Sequence, residues 1–220
     1  GLSTMGHQVD VFVPSTVEEQ WLSLQDFAGR LTVEPVRKTA QGLLRSAIFY
    51  VLPVRAYAIS LGDLETAHRK LAVAIGDKQY DVTLVEQDRY TFSPFILKYL
   101  TTPHVYYCQQ PARVGEIILQ AVECQLQSGI GLRKVAKRVW QAYRSRKVSA
   151  IDRSNATRAK YIVTNSFFSR ENILRTYGIN SFVCYLGVDN QTFRPLMIEK
   201  EDFVISVGQM VPSKGYDFVV

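Results

Sequence analysis

Tyr161-Ile162-Val163-Thr164-Asn165-Ser166-Phe167-Phe168-Ser169 is the stretch that decides the fold: a short strand-forming run, two small polar residues, then the start of a helix. β-Branched and aromatic residues fit a pleated surface, and so short an apolar run reads as a strand buried in a sheet. Asn165 and Ser166 end it. Ser166 or Ser169 is suited to cap the following helix by accepting a hydrogen bond from one of its free backbone N–H groups. In open α/β sheets the same place, just beyond the carboxyl end of a strand, is where ligands bind. For Asn165 and Ser166 both roles stay open.

Outward from this stretch the pattern repeats. Strand-like runs are expected at Gln8–Val13, Leu31–Val36, Asp81–Glu86, His104–Cys108 and Phe182–Leu186. Between them, Gly42 to Ile75 has room for two helices, Ser93 to Leu100 for a short one, Arg113 to Arg153 for one or two long ones, and Ser169 to Tyr177 for another. Strands alternating with helices predict a parallel sheet covered on both faces, an α/β architecture. Gly6, just before the first strand, is suited to end a helix in a left-handed conformation. A helix there implies a further strand ahead of it, so the chain is expected to lack its first strand and loop.

Val105-Tyr106-Tyr107-Cys108-Gln109-Gln110-Pro111-Ala112-Arg113 is a second strand end with polar groups, and Pro111 suits the first turn of a helix. The amides of Gln109 and Gln110 and the guanidinium of Arg113 are suited to grip sugar hydroxyls. Cys108 has no adjacent histidine and reads as a small apolar residue, so Cys/His nucleophilic catalysis is not supported.

Near Asp189 to Asp202 the pattern breaks at Asn190, Gln191, Pro195 and the charged run Glu199-Lys200-Glu201-Asp202, which suggests a domain boundary. Beyond it, Phe203 to Val207 is expected to open a new buried strand, running into Gly208-Gln209-Met210-Val211-Pro212-Ser213-Lys214-Gly215 and a helix. Such a turn aims backbone N–H groups and a helix N-terminus at the space above a sheet, which suits a phosphate. It matches neither of the two best-known phosphate-loop patterns, so by spacing alone an ordinary strand-to-helix turn fits equally well. Gly129-Ile130-Gly131 lacks a third glycine and follows no strand, which argues against a dinucleotide site there.

The net charge of +6 comes from one segment. Between Gly129 and Lys147 seven cations stand without an acid; taking that +7 from +6 leaves the rest of the chain at −1. With no nucleic-acid-reading motif beside them, the cations argue against nucleic acid as partner. Written as a helix, Leu132, Val135, Val139 and Tyr143 recur at three- and four-residue steps beside Trp140. The cations Arg133, Lys134, Lys137 and Arg138 fill other faces. Two readings stand: a long surface helix packed on its own domain, or a basic amphipathic helix docked on an anionic membrane leaflet.

Three cysteines, Cys108, Cys124 and Cys184, match neither a zinc pattern nor a disulfide framework, which fits a reducing, cytoplasmic setting. The longest apolar run, Ala47 to Val54, is far shorter than the ~20 residues of a membrane span.

Taken in order, these segments resemble glycosyltransferase family 4, retaining enzymes with the GT-B fold. The resemblance rests on Leu2 to Val11, on Ala159 to Ser166 followed by Tyr177-Gly178 and Gly187-Val188-Asp189 with Phe193 and Pro195, and on Ser206 to Met210 with Lys214-Gly215. It implies two facing Rossmann-like domains, with residues 1–195 forming the acceptor domain and 196–220 the linker and start of the donor domain. It further implies that Gly208, Gln209 and Lys214 bind the donor diphosphate, that Gln109, Gln110, Arg113, Asn165 and Ser166 face the acceptor, and that Gly187 and Asp189 lie between the domains.

By the same resemblance the donor is a nucleotide-diphosphate sugar and the acceptor a glycan, a lipid-linked sugar or a small molecule, as in polysaccharide biosynthesis. No metal is expected. Gln209 stands where the family commonly has arginine, which leaves more of the diphosphate to Lys214, and Gln109 stands where histidine is common. The family's paired glutamates would lie beyond Val220, so the catalytic residues are expected outside this sequence and the 220-residue chain is expected to be inactive. The competing readings are a non-catalytic module using the basic helix on membrane or nucleic acid, and another GT-B enzyme such as a nucleotide-sugar epimerase.

Overall fold

The computed structural model describes residues 2–17, 24–26, 28–36, 60–112, 132–195, 202–208 and 215–218, without the side chains of residues 4, 132–142 and 217. The chain divides into two compact units, Gly1–Tyr185 and Leu186–Val220.

In the first unit the regular elements are β1 (Asp10–Pro14), β2 (Arg30–Glu34), α1 (Leu61–Gly76), β3 (Thr83–Glu86), β4 (His104–Tyr107), α2 (Leu132–Ala156), β5 (Tyr161–Thr164), α3 (Phe167–Tyr177) and β6 (Phe182–Val183). Among the described residues every pairing between these strands is parallel. The expectation of an α/β protein built on parallel strands is met. The hydrogen bonds sort the six strands into two sets, β1-β2 and β3-β4-β5-β6. Within the larger set the strands follow chain order, in keeping with the tendency of consecutive elements to lie side by side.

The sets share one core. Val85, Tyr106 and Ile162 stand in register across β3, β4 and β5, and all are buried together with Leu71, Ala72 and Ile75 of α1 and Ile173 and Tyr177 of α3. On α1 the buried residues Leu64, Ala67, His68, Leu71, Ala72 and Ile75 recur at three- and four-residue steps, the spacing that keeps one face of a helix on a core. Phe12 of β1 packs against the same cluster, and Tyr80, just ahead of β3, meets its ring edge-on at 5.8 Å. The Tyr80 hydroxyl donates to Asp10 Oδ2 at 2.6 Å, and burial followed by that bond pushes the phenol up to about 12.

Helix ends are set by the residues that the sequence offers. Ser60 caps α1 by accepting from the Gly62 N–H, and Ser166 caps α3 by accepting from the Ser169 N–H at 3.1 Å. Gly178 closes α3 at φ 76°, where a side chain would be strained. Gly6, at φ 90°, closes the helical turn Leu2–Met5, with its N–H bonded to Ser3 O and the His7 N–H to Leu2 O. That pair of bonds is the one that ends α-helices on a left-handed glycine.

One expectation is corrected. Phe203 to Val207 forms no strand, and Phe203, Val204, Ile205 and Val207 are 65–92% exposed. A strand needs ladder partners for its backbone, and none pairs with this run among the described residues. The short helix expected at Ser93 to Leu100 is present as a 3-10 turn, Phe95–Lys98, opened by Pro94 and closed by a Tyr99 N–H bonded to Ile96 O. The second helix expected after Gly42 and the first part of the long helical stretch after Arg113 lie outside the described residues.

Candidate ligand site at the carboxyl ends of the strands

Because β3 to β6 are parallel, their carboxyl ends emerge at one edge of the sheet. Three polar segments meet there: Gln87-Asp88 after β3, Gln109-Gln110 after β4 and Asn165-Ser166 after β5. Ladder bonds carry the alignment past the strands themselves, with the Cys108 N–H donating to Val163 O and the Cys184 N–H to Thr164 O, both at 2.8 Å. Four of the residues expected to face an acceptor, Gln109, Gln110, Asn165 and Ser166, therefore lie at two neighbouring strand ends. Gln109 and Gln110 are exposed, and Asn165 and Ser166 are half-buried. Arg113 lies outside the described residues.

The loop after β4 is held by a residue that sequence reading passed over. Gln87 Oε1 accepts from the N–H groups of Gln109 at 3.0 Å and Gln110 at 3.2 Å. Gln87 Nε2 donates to Gln110 O at 2.7 Å and lies 3.7 Å from Cys108 Sγ. One side-chain amide thus stands in for a missing strand neighbour. The signal was legible: Glu86-Gln87-Asp88 is a polar triplet directly after an apolar strand, the same pattern already read at Gln109 and Asn165.

Beneath the loops lies a buried carboxylate. Asp152 of α2 is 1% exposed; its Oδ1 accepts from the Ser93 N–H at 3.0 Å and the Ser93 hydroxyl at 2.6 Å, and its Oδ2 from the Tyr177 hydroxyl at 2.7 Å. Because Ser93 donates its only hydroxyl proton to the carboxylate, Tyr106, 2.9 Å away, donates in turn to Ser93 Oγ. Asn155, one turn on, donates to Ser93 O at 2.8 Å. Burial raises the Asp152 carboxyl above its usual range, and the bonds from Ser93 and Tyr177 hold the rise back. Tyr106 and Tyr177 are pushed far above the ordinary phenol range, burial leading in both. These groups join α2, α3, β4 and the loop after β3, and supply no exposed acid or base.

That loop is itself preformed. Asp88 accepts through Oδ1 from the Tyr90 and Thr91 N–H groups and through Oδ2 from the Thr91 hydroxyl. The turn brings Phe92 to φ 62°, a left-handed conformation that costs a non-glycine residue about 1–2 kcal/mol. Cys108 is buried, and burial pushes its thiol up to about 12, which fits its reading as a small apolar residue.

Ser166 is the cap of α3, and its hydroxyl also lies within reach of Asn165 Oδ1 at 3.2 Å and Ser169 Oγ at 3.1 Å. Of the other expected residues, Gly187, Asp189 and Gly208 belong to the second unit. Gly187 is exposed, with nothing near the place of a Cβ. Asp189 closes a local turn, accepting from the Thr192 hydroxyl at 2.6 Å and the Gln191 N–H at 2.9 Å; the Thr192 bond, then the Gln191 one, hold its carboxyl below the usual range. A Cβ on Gly208 would lie 2.5 Å from Tyr216 Oη, the far end of a side chain that would have to turn aside. Gln209 and Lys214 lie outside the described residues.

The basic segment forms the first half of α2, so the helix expected there is present. The side chains of Arg133, Lys134, Lys137, Arg138 and Trp140 are not described. Of the expected apolar stripe only Tyr143 is, and it is 66% exposed, whereas the buried residues among the described side chains of α2 are Val148, Asp152, Asn155 and Ala156. Among the described residues no helix is long and apolar enough to cross a membrane. Comparison with protein-family models, curated proteins and solved structures finds no match to this chain.

Proposed function

We propose that the chain is the acceptor-binding side of a nucleotide-sugar glycosyltransferase of the retaining GT-B type, its first unit a Rossmann-like domain. What supports this reading is the alignment of polar strand ends along one edge of a parallel sheet, with Gln109-Gln110 and Asn165-Ser166 on neighbouring strands. In open α/β sheets that edge is the ligand edge. Amides and hydroxyls are the groups that recognise sugar hydroxyls, and none of these four residues brings a charge to the site. The donor diphosphate falls to Lys214, Gln209 and Gly208, with Gly187 and Asp189 in the connection between domains. Positive groups there would meet the charge that develops on the departing diphosphate, with no call on a metal ion.

The acceptor is a glycan, a lipid-linked sugar or a small hydroxyl compound, in a cytoplasmic enzyme of the polysaccharide-building kind. Tyr143, exposed next to the basic run of α2, favours a peripheral place on an anionic leaflet over a helix packed wholly on its own domain. The deciding experiment expresses the chain with whatever coding sequence follows Val220 and follows nucleoside diphosphate release and product mass over a panel of nucleotide sugars. Transfer to an acceptor, weakened by Gln109→Ala and Asn165→Ala, supports the reading. Interconversion of the nucleotide sugar without transfer assigns an epimerase instead, and no turnover with salt-dependent binding to vesicles assigns a binding module.

A further inference from the structure

Loops after parallel strands often bind anions through runs of free backbone N–H groups. After β4 the two N–H groups in that position, those of Gln109 and Gln110, both point to one oxygen, Gln87 Oε1, at 3.0 and 3.2 Å. The other half of the Gln87 amide holds Gln110 O at 2.7 Å, so this side chain fixes both faces of the Gln110 peptide. Among the described residues of this loop, the side chains of Gln109 and Gln110 remain for an incoming group, and both are exposed. We propose that Gln87 is a positioning residue that sets the specificity of this strand end: by occupying the two backbone donors it excludes an anion and leaves neutral side-chain amides for a hydroxyl-bearing group. The proposal rests on reading this edge as the ligand site, and it assigns the β4 end to a neutral ligand surface, away from any phosphate.

The choice of glutamine follows from its bonds. Oε1 needs two donors and Nε2 needs an acceptor, so an ionised carboxylate at the same place keeps the first contact and turns the second into repulsion against Gln110 O. A protonated carboxyl restores the donor. Gln87→Glu therefore titrates between a native-like and a displaced loop. The titratable groups nearest Gln87 are the Cys108 thiol, pushed up to about 12, and the flanking carboxyls of Glu86 and Asp88, which the wild type also carries, so a carboxyl-range transition seen in Gln87→Glu and not in the wild type belongs to the introduced carboxyl.

The test uses the 220-residue chain, its backbone amides followed by NMR, with inorganic phosphate as the anionic probe. In the wild type the Gln109 and Gln110 amides are expected to stay put on adding phosphate, whereas in Gln87→Ala they shift and saturate. In Gln87→Glu they are expected to match the wild type at low pH and to move with a single carboxyl-range midpoint as pH rises. Equal phosphate responses in wild type and Gln87→Ala, or a pH-independent Gln87→Glu spectrum, overturn the proposal. If Gln87→Ala does not fold, the Gln87→Glu profile decides alone. Absence of sugar transfer by the extended chain would remove the enzymatic reading and leave these two results unchanged, so the two failures are separable.

Discussion

Replacing Asp152 tests whether one buried carboxylate holds the site-bearing loops. In Asp152→Ala, four donors lose their acceptor: the Ser93 N–H, the Ser93 hydroxyl, the Tyr177 hydroxyl and the Ala112 N–H. The Ser93 hydroxyl can turn to the Tyr106 oxygen 2.9 Å away while Tyr106 donates to Phe92 O at 3.4 Å, so three donors are left stranded in the interior. A buried unsatisfied group costs about 1–3 kcal/mol, which puts the loss at about 3–9 kcal/mol. For a chain of this size that lowers Tm by roughly 6 °C at the least. Asp152→Asn keeps the shape and one carbonyl oxygen, and is expected to lose less.

The pH dependence separates a charged hub from a merely space-filling one. Burial raises the folded-state value of Asp152 above its unfolded one, so its contribution is fully present below the unfolded carboxyl value and falls as pH rises through the raised folded value. The stability difference between wild type and Asp152→Asn should therefore shrink as pH climbs through and above the ordinary carboxylate range. Urea melts at several pH values measure this. A midpoint for Asp152→Ala within about 0.5 kcal/mol of wild type, the range of ordinary surface substitutions, would refute the reasoning. So would a wild-type-minus-Asn difference that is flat with pH.

Three further expectations concern other elements. His68 is buried against Phe95 with its Nδ1 unpartnered, and burial lowers its value against the opposing pull of Asp88 and Glu65; stability present above the unfolded value of about 6.5 is lost as pH falls toward the folded one, at no more than about 1.4 kcal/mol per pH unit. His68→Leu should flatten that part of the stability profile, and a slope as steep as wild type in the variant would count against it. Ser166→Ala should cost about 1 kcal/mol through the lost cap of α3, with Ser166→Asp retaining most of it, as read from thermal melts. Changing Arg133, Lys134, Lys137 and Arg138 together to Gln should cut pelleting with anionic vesicles at least about tenfold, since each cation near such a surface is worth ~1 kcal/mol; unchanged pelleting would remove the membrane reading.

The fold was legible wherever a residue's local and tertiary demands agree. Tyr161 to Thr164 is a strand in sequence and in structure because its β-branched residues suit the pleat and Ile162 has a core to fill. Gly6 and Ser166 announce helix ends because capping is local chemistry. Phe203 to Val207 is, like β5, made mostly of β-branched and aromatic residues and forms no strand, because a ladder depends on neighbours that composition does not reveal. Gln87 and Asp152 went unread for a related reason: their partners lie about twenty and sixty residues away, at separations of 22 and 59. Only the fold brings those groups together.

The two residues share one loop from opposite sides. Gln87 holds the peptide of Gln110 at the edge of the sheet, while two positions on, the Ala112 N–H supports the buried Asp152 carboxylate. Cys108 before the exposed pair Gln109-Gln110 and Pro111 and Ala112 after it are buried, so the segment is anchored on both sides. Ordering a loop costs about 1–2 kcal/mol per residue in backbone entropy, and here that cost is met on folding rather than on ligand binding. A site built this way presents its amides in one fixed direction. On the proposed reading of this edge as the acceptor site, truncating Gln109 should weaken binding without loosening the loop, whereas changing Gln87 should loosen the loop with both exposed amides still in place.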